Sequence, residues 1–286
     1  MATNPGVTMV MNTLTLSAPL ALASMGGLTS ERSGVINIAL EGKMLASCIC
    51  AAIVGVSTGS AVLAVLAGIA AGILMSLLHY LLTQVFGIDH IISGMGVNFV
   101  ALGAGNYLSQ AVQPIQQGQA LPPTPIWPFW VAGILLPVGL AYALKKTRPG
   151  LRLMAVGHSP DKSRQLGVQP VLVRLGALVV TGVFCGLAGD LIVSNAGRYV
   201  DNMTAGRGYI ALAALILGGW RPIPSLLACF GFGFVMAIQL QFQGGPFLGV
   251  ELPPEFWGML PFLVTVIALV GLLGGKNRAP SGLGKP

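Results

Sequence analysis

MLASCICAAIVGVSTGSAVLAVLAGIAAGILMSLLHYLLTQVFGI, the stretch from Met44 to Ile88, contains no Asp, Glu, Lys or Arg. A helix needs about 20 largely apolar residues to cross about 30 Å of hydrocarbon, so this stretch has room for two crossings. Four more stretches are equally free of these charges: 6–30, 90–144, 222–250 and 256–275. The pattern predicts an all-α membrane protein that crosses the bilayer about 8–10 times.

The composition excludes a compact protein folded in water. Of the 286 residues, 54% are hydrophobic and 40 are Gly, whereas only 8% are charged. An average soluble domain has about 25% charged residues, which it needs to cover its surface. A soluble enzyme is therefore excluded.

The basic residues orient the chain. The net charge is +7, and six basic residues lie between Lys145 and Arg164, with a second basic cluster in the tail 276–286. Loops rich in Lys and Arg remain in the cytoplasm, so both clusters predict the cytoplasmic side and an external N-terminus. We see no cleavable signal peptide and interpret the first apolar run as a retained helix.

The four cysteines all fall inside apolar runs. A thiol there usually acts as a small buried hydrophobe, so we predict neither a disulfide framework nor a metal site.

Alternation of sides fits nine crossings. Residues 110–127, rich in Gln and Pro, form a predicted exterior loop without a helix. The crossings are residues 8–28, 35–56, 60–86, 90–110, 127–145, 170–194, 206–220, 223–243 and 256–275. Gly68-x-x-x-Gly72 and Gly182-x-x-x-Gly186 have the spacing that lets helices approach closely, either within one subunit or at a dimer face.

The segment ERSGVINIALEGK, residues 31–43, places ionisable groups inside an apolar run. Charges at membrane depth usually face a protein interior or a wet cavity. On a helix, Asn37 and Glu41 would share one face, which favours a permeation pathway. The alternative is that Glu31, Arg32 and Lys43 lie in interfacial water while Glu41 pairs with one of them.

The segment 150–168 is basic but contains a helix start. Ser159 before Pro160 predicts an N-cap, and Gly167 would close a short helix from Pro160 to Leu166 along the membrane surface. This helix would present Lys162, Ser163 and Arg164 to a partner protein. The alternative is an ordinary positive-inside loop.

The segment RYVDNMTAGRGYIALAALILGGWRP, residues 198–222, has an apolar part too short to cross the bilayer easily. Short interrupted helices at membrane depth occur in protein interiors or beside cavities and often line transport sites. No phosphate-binding loop of the G-x-x-x-x-G-K-[ST] type and no catalytic constellation is present, so ATP energy would have to come from another subunit.

These three segments resemble the permease subunits of ABC importers of the branched-chain amino acid and simple-sugar superfamily, over about Leu16 to Gly274. The runs SERSGVINIALEG (30–42) and NMTAGRGYIALA (202–213) are similar to the nucleoside-importer branch. AVGHSP (155–160) with QLGV (165–168) resembles the cytoplasmic coupling segment shared with cobalamin importers. The chain departs from the family pattern at His158, where Glu is usual, and at Lys43, where an apolar residue is usual.

The resemblance implies one permease domain over residues 1–286, with a fold similar to the cobalamin-importer type, a coupling loop at 146–169 and a basic cytoplasmic tail at 276–286. The chain would form half of a pore in the cell membrane, be non-catalytic and bind no cofactor, with ATP and Mg on a partner ATPase. Other implied partners are a second related permease, giving a heterodimer, and an extracytoplasmic binding protein or lipoprotein. The implied ATPase-coupling residues are Ala155, Val156, Gly157, His158, Ser159, Pro160, Asp161, Lys162, Gln165, Leu166 and Gly167. The expected pathway residues are Asn37, Glu41, Asn98, Gly206, Arg207 and Gly208.

Nucleosides or simple sugars are the expected substrates, and ribose-like sugars or branched-chain amino acids are the alternatives within the class. Another alternative is an ion-coupled secondary transporter, for which only Glu41 and Asp190 offer buried ionisable groups. A third is a membrane scaffold that does not transport.

Overall fold

The structure, a computed structural model, describes residues 5–243, 253–272 and 279–285. The chain is helical over these residues apart from its connections, and they contain no β-strand. A single π-helical turn, Leu81–Val85, continues the third helix. The helices are α1 (Pro5–Arg32), α2 (Leu40–Thr58), α3 (Ala61–Tyr80), α4 (His90–Ala111), α5 (Gln113–Gln116), α6 (Trp127–Lys146), α7 (Arg148–His158), α8 (Pro160–Gln165), α9 (Pro170–Ala196), α10 (Arg207–Leu217), α11 (Pro222–Phe242) and α12 (Pro254–Leu272).

Seven of the described helices are long and apolar enough to span a membrane, namely α1, α2, α3 with its π turn, α4, α6, α9 and α11. They coincide with seven of the nine predicted crossings and confirm the all-α polytopic fold. The predicted crossing 206–220 is wrong as a full span, because α10 has 11 residues and is therefore about 16 Å long. The described part of α12 ends at Leu272, and residues 273–275 of its predicted crossing lie outside the described residues.

The long helices pack around α1, α2 and α9. Helix α9 packs against α3, α1 and α2, and α1 also packs against α11 and α6. The largest core cluster contains buried side chains from all three central helices, among them Leu22, Met44 and Cys185. This arrangement surrounds the connection between α1 and α2 with protein.

The two glycine motifs pack against each other between α3 and α9. A Cβ on Gly182 would lie 2.5 Å from the Cα of Ile73, and one on Gly186 would lie 2.6 Å from the Cα of Ile69. The carboxyl of Asp190 occupies the space beside Gly68. This confirms close packing within one subunit as the role of the motifs.

The second predicted crossing begins too early. Helix α1 continues to Arg32, Gly34 turns the chain with a φ of +99°, and α2 begins only at Leu40. The irregular residues 33–39 are buried or half-buried. Non-helical backbone at membrane depth is tolerated only where protein or a wet cavity satisfies it, and here surrounding helices cover it.

The predicted exterior loop contains a short helix, which corrects the expectation that it has none. Helix α4 continues to Ala111, and α5 follows with Pro114 in its first turn, where the missing N–H of proline costs nothing. The backbone N–H of Leu121 donates to the carbonyl of Gly197 at 2.8 Å and ties the loop to the end of α9.

The basic segment 146–169 is almost entirely helical. A helix that we did not predict, α7, precedes α8, and Gly167 ends the pair with a φ of +78° as expected. Ser159 is the N-cap residue of α8 as predicted, although its hydroxyl makes no capping bond. Ser163 is buried and donates its hydroxyl to the Ser159 carbonyl at 2.9 Å, so it does not face the cytoplasm.

Candidate functional site

The residues predicted to act in transport fall into two places. Four of the predicted pathway residues meet where α2, α4 and α10 approach each other, and together with Tyr209 we call them the polar cluster (Glu41, Asn98, Gly206, Gly208 and Tyr209). The predicted ATPase-coupling residues lie on α7, on α8 and beside them, at the end of the molecule that carries the basic segment.

Glu41 clamps the first turn of α10. Its Oε1 accepts the backbone N–H of Gly206 at 2.7 Å, and its Oε2 accepts that of Gly208 at 2.6 Å. The first N–H groups of a helix have no partner within the helix, and a carboxylate there also interacts favourably with the helix dipole. Glu41 therefore satisfies a helix start that is sunk inside the protein.

Asn98 joins α4 to the same place. Its Oδ1 accepts the N–H of Gly42 at 2.8 Å. Its Nδ2 donates to the Ile38 carbonyl at 3.1 Å and to the Tyr209 hydroxyl at 3.0 Å. Both polar atoms of the amide are therefore used, and Asn98 connects the start of α2 with α10.

Glycines allow these helices to come close enough for such bonds. A Cβ on Gly42 would lie 2.7 Å from the Cα of Asn98, and one on Gly208 would lie 2.6 Å from the Cα of Glu41. Both distances are shorter than real Cβ contacts, so the backbones require glycine here.

One side of the polar cluster lies at the surface of the chain and is aromatic. Tyr209 is 45% exposed, Phe262 is 47% exposed and Phe99, the neighbour of Asn98, is 66% exposed. The Phe262 ring lies against Gly206. The Tyr209 hydroxyl oxygen accepts the bond from Asn98, so the hydroxyl proton is available to donate to a further acceptor.

Asn37 lies in a neighbouring buried network and does not share a helix face with Glu41, because it precedes α2. Its Nδ2 donates to Ser30 Oγ at 2.9 Å, and its Oδ1 accepts from Lys43 Nζ at 3.0 Å. Lys43 Nζ also lies 3.3 Å from His79 Nδ1. The alternative that Glu31, Arg32 and Lys43 lie in interfacial water is wrong for Glu31 and Lys43, which are buried within the chain, whereas Arg32 is half-buried.

Sequence reasoning noted Lys43 as unusual but missed His79, which lies in an otherwise apolar part of α3. A lone histidine in such an apolar run is the sequence signal that could have indicated a buried polar contact. Arg207, predicted for the pathway, is half-buried, and its Nη1 donates to the Met203 carbonyl at 3.4 Å. Contact of any of these residues with a substrate stays a prediction.

The predicted coupling residues divide by exposure. Val156, Gly157 and Pro160 are buried and Ser159 is half-buried. Gly157 packs on the carbonyl of Arg32 at the end of α1. Leu166 is 81% exposed, which is unusual for a leucine outside the lipid-facing helices. The exposed members are Ala155, His158, Asp161, Lys162, Gln165, Leu166 and Gly167.

Interrupted helices among full spans, with a partly buried polar cluster and a helical pair at the basic end, are typical of the class of membrane transport proteins. The chain belongs to the family described as branched-chain amino acid transport system / permease component, whose model matches residues 9–269. It is a multi-pass protein of the plasma membrane.

Similar proteins cover nearly the whole chain. The guanosine ABC transporter permease protein NupQ of Bacillus subtilis is 32% identical, over 96% of this chain and 94% of its own length. The nucleoside ABC transporter permease protein NupC of Lactococcus lactis is 34% identical, over 95% and 93%. A putative glucose ABC transporter permease of Haloferax volcanii is 28% identical, over 90% and 89%.

Proposed function

We propose that this chain is the permease subunit of an ATP-driven importer of nucleosides or simple sugars and forms half of its pore. The observation that carries the proposal is full-length similarity to two nucleoside permeases at more than 30% identity. Within it the chain performs no catalysis: a partner ATPase binds ATP and Mg, and a binding protein or lipoprotein delivers the substrate from outside.

The exposed pair α7–α8 supports the docking of an ATPase. It presents charged side chains, Asp161, Lys162 and Arg164, around the exposed Leu166. Protein interfaces commonly combine an apolar centre with a polar rim, and this surface has both. The pair packs on α6 and α9, so a push on α8 reaches helices that cross the membrane.

The aromatic side of the polar cluster supports a pathway shared with a second, related permease. Its exposed rings offer faces for a nucleobase or a sugar, and the Tyr209 hydroxyl offers a hydrogen bond. In this proposal the second permease covers this face from the other side, as half of a heterodimeric pore.

Reconstituted transport tests the function. The chain is co-expressed with the permease, ATPase and binding protein encoded beside it and placed in vesicles. We expect ATP-dependent uptake of labelled guanosine, with weaker uptake of glucose or ribose. Uptake of leucine but of no nucleoside would favour branched-chain amino acids, and uptake driven by a proton gradient without ATP would contradict the proposal.

Gly167→Val tests the coupling surface. Gly167 has a φ of +78°, which a β-branched residue rarely adopts, so the substitution distorts the backbone at the end of α8. The added Cβ has no neighbouring atom within 4 Å, so no steric clash contributes. We expect ATP hydrolysis to continue while uptake falls at least tenfold.

Gly59→Val is the matched control. Gly59 has a φ of +66° and, like Gly167, nothing within 4 Å of an added Cβ. It lies at the C-terminal end of α2, on the other side of the membrane from α8. We expect it to keep the transport of the unmodified chain. Normal uptake by Gly167→Val would contradict the assignment of α8 as the coupling helix.

A further inference from the structure

Residues 279–285, which we call the C-terminal strap, return to the body of the protein beside α7 and α8. The N–H of Gly282 donates to the carbonyl of Gly157 at 3.0 Å. The Ser281 hydroxyl donates to the His158 carbonyl at 2.8 Å. These two carbonyls lie in the last turn of α7, where helix carbonyls have no helical partner, so the strap completes the end of this helix.

The other end of the strap binds the connection between α1 and α2. The N–H of Gly284 donates to the carbonyl of Gly34 at 2.9 Å. A Cβ on Gly284 would lie 3.0 Å from a terminal methyl of Ile36, so the contact is close. The strap thus bridges the last turn of α7 and the buried segment that leads to Asn37 and Glu41.

Arg174 in α9 holds this bridge in place. Its side chain is 1% exposed although it is charged. Its Nη2 donates to the Lys285 carbonyl at 2.8 Å, its Nε to the Ser33 carbonyl at 3.4 Å and its Nη1 to Gln84 Oε1 at 2.8 Å. A buried guanidinium requires several acceptors, and here the strap, the α1–α2 connection and the π turn after α3 supply them.

The strap fits tightly at its centre. Pro280 and Gly282 are buried, and a Cβ on Gly282 would lie 2.8 Å from the Gly157 carbonyl oxygen. Gly157 itself packs on the Arg32 carbonyl. A displacement of α7 therefore either moves the α1–α2 connection with it or breaks several contacts at once.

We propose that the C-terminal strap and Arg174 are positioning elements for transport, which carry the movement of the coupling helices to the α1–α2 connection and its polar residues. This inference rests on the proposed function, because it requires an ATPase that acts on α7 and α8. Its physical basis is one continuous set of contacts from the end of α7 through the strap to Gly34, with Arg174 holding the Lys285 end of the strap beside Ser33.

Truncation tests the strap in the assembled transporter. Removal of residues 280–286 eliminates its contacts, whereas Pro286→Ala keeps residues 280–285 and the peptide carbonyl of Lys285 and serves as the control. We expect the truncated chain to co-purify with the ATPase and hydrolyse ATP, while the amount of substrate transported per ATP falls at least about fivefold, the low end of usual allosteric coupling. An unchanged ratio would overturn the proposal.

Gly282→Val tests it without shortening the chain. The larger side chain meets the backbone of Gly157 and pushes the strap outward. Gly139→Val is the control, because it makes the same exchange outside the strap, at a position with nothing within 4 Å of an added Cβ. For Gly282→Val we expect the same loss of coupling as for the truncated chain, with unchanged abundance and thermal midpoint of the complex.

Two other results would count against the strap. If Gly282→Val prevents assembly with the ATPase, the strap is needed for assembly and the proposal is overturned. If Gly282→Val assembles and has a normal ratio of transport to ATP hydrolysis, the proposal is overturned as well. Failure of the proposed function has a different signature, since the unmodified complex would then show no ATP-dependent uptake at all.

Discussion

At the scale of single residues, Glu41, Lys43 and Arg174 carry ionisable side chains that lipid would reject, and the protein supplies hydrogen-bond partners for these three. Glu41 accepts two backbone N–H groups, and Arg174 donates to two carbonyls and an amide. Lys43 lies between Asn37 and His79. These side chains hold irregular backbone at membrane depth, where an unpaired polar group costs several kcal/mol.

Glu41→Ala should loosen the start of α10. The N–H groups of Gly206 and Gly208 lose their acceptor, and each unsatisfied buried group costs about 1–3 kcal/mol. We expect a lower thermal midpoint in detergent and a loss of uptake, with Glu41→Gln intermediate because its amide oxygen can still accept one bond.

The exposed carboxylate of Glu255 provides the control for this prediction. Glu255→Ala removes the same charge from the exposed first turn of α12, where water replaces the lost interaction, and should lower the thermal midpoint far less than Glu41→Ala. Equal midpoints for Glu41→Ala and Glu255→Ala would contradict the role of Glu41 as a clamp.

At the level of elements, the closest helix contacts depend on glycine. Helices α3 and α9 approach until backbone meets backbone at Gly182 and Gly186, and α2 meets α4 and α10 at Gly42 and Gly208 in the same way. Lipid supplies no hydrophobic force between helices, so close packing has to stabilise their association.

Gly182→Val should separate α3 from α9. A Cβ there already lies 2.5 Å from the Cα of Ile73, and overpacking of this kind costs about 1–3 kcal/mol or more. We expect a lower thermal midpoint and less protein in the membrane.

Gly176→Val makes the same exchange in the same helix, at a position with nothing within 4 Å. It should be tolerated, so the comparison separates lost packing from the lower helix propensity of valine. If both variants are equally stable, the close contact between α3 and α9 is not needed.

At the scale of the whole molecule, orientation in the membrane connects the fold to the function. The pair α7–α8 and the C-terminal strap lie at the same end as Arg32 and Arg221, whereas Gly59 and the loop at Leu121 lie at the other. The positive-inside rule places the first end in the cytoplasm, where an ATPase operates.

Labelling with a membrane-impermeant maleimide checks this orientation. Leu166→Cys should react only in inside-out vesicles, and Gly59→Cys only in intact cells, because the exposed positions lie on opposite sides. The native chain is the blank, since three of its cysteines are buried and Cys50 is half-buried. Reaction of Leu166→Cys from outside would show that the chain has the opposite orientation and would contradict the proposed importer.

Local sequence signals predicted the elements that depend on local forces. Charge-free runs located the long helices, Gly167 ended α8 as expected, and the glycine motifs indicated close packing. The errors occur where neighbours override local preference. Residues 33–39 look helical but are irregular because His90 and other groups from distant helices satisfy them, as with the bond from the Ile36 N–H to His90 Nδ1 at 3.2 Å.

The sequence by itself determined that this protein is a helical membrane protein, which end carries its basic segments and which family it resembles, because hydropathy and charge act residue by residue along the chain. Only the tertiary structure decided that Glu41 clamps α10, that Lys43 pairs with Asn37 and His79, and that the chain end ties α7 to Gly34. Those partners are far apart in the sequence or on separate elements, and a buried polar group accepts whichever partner packing brings within hydrogen-bond distance.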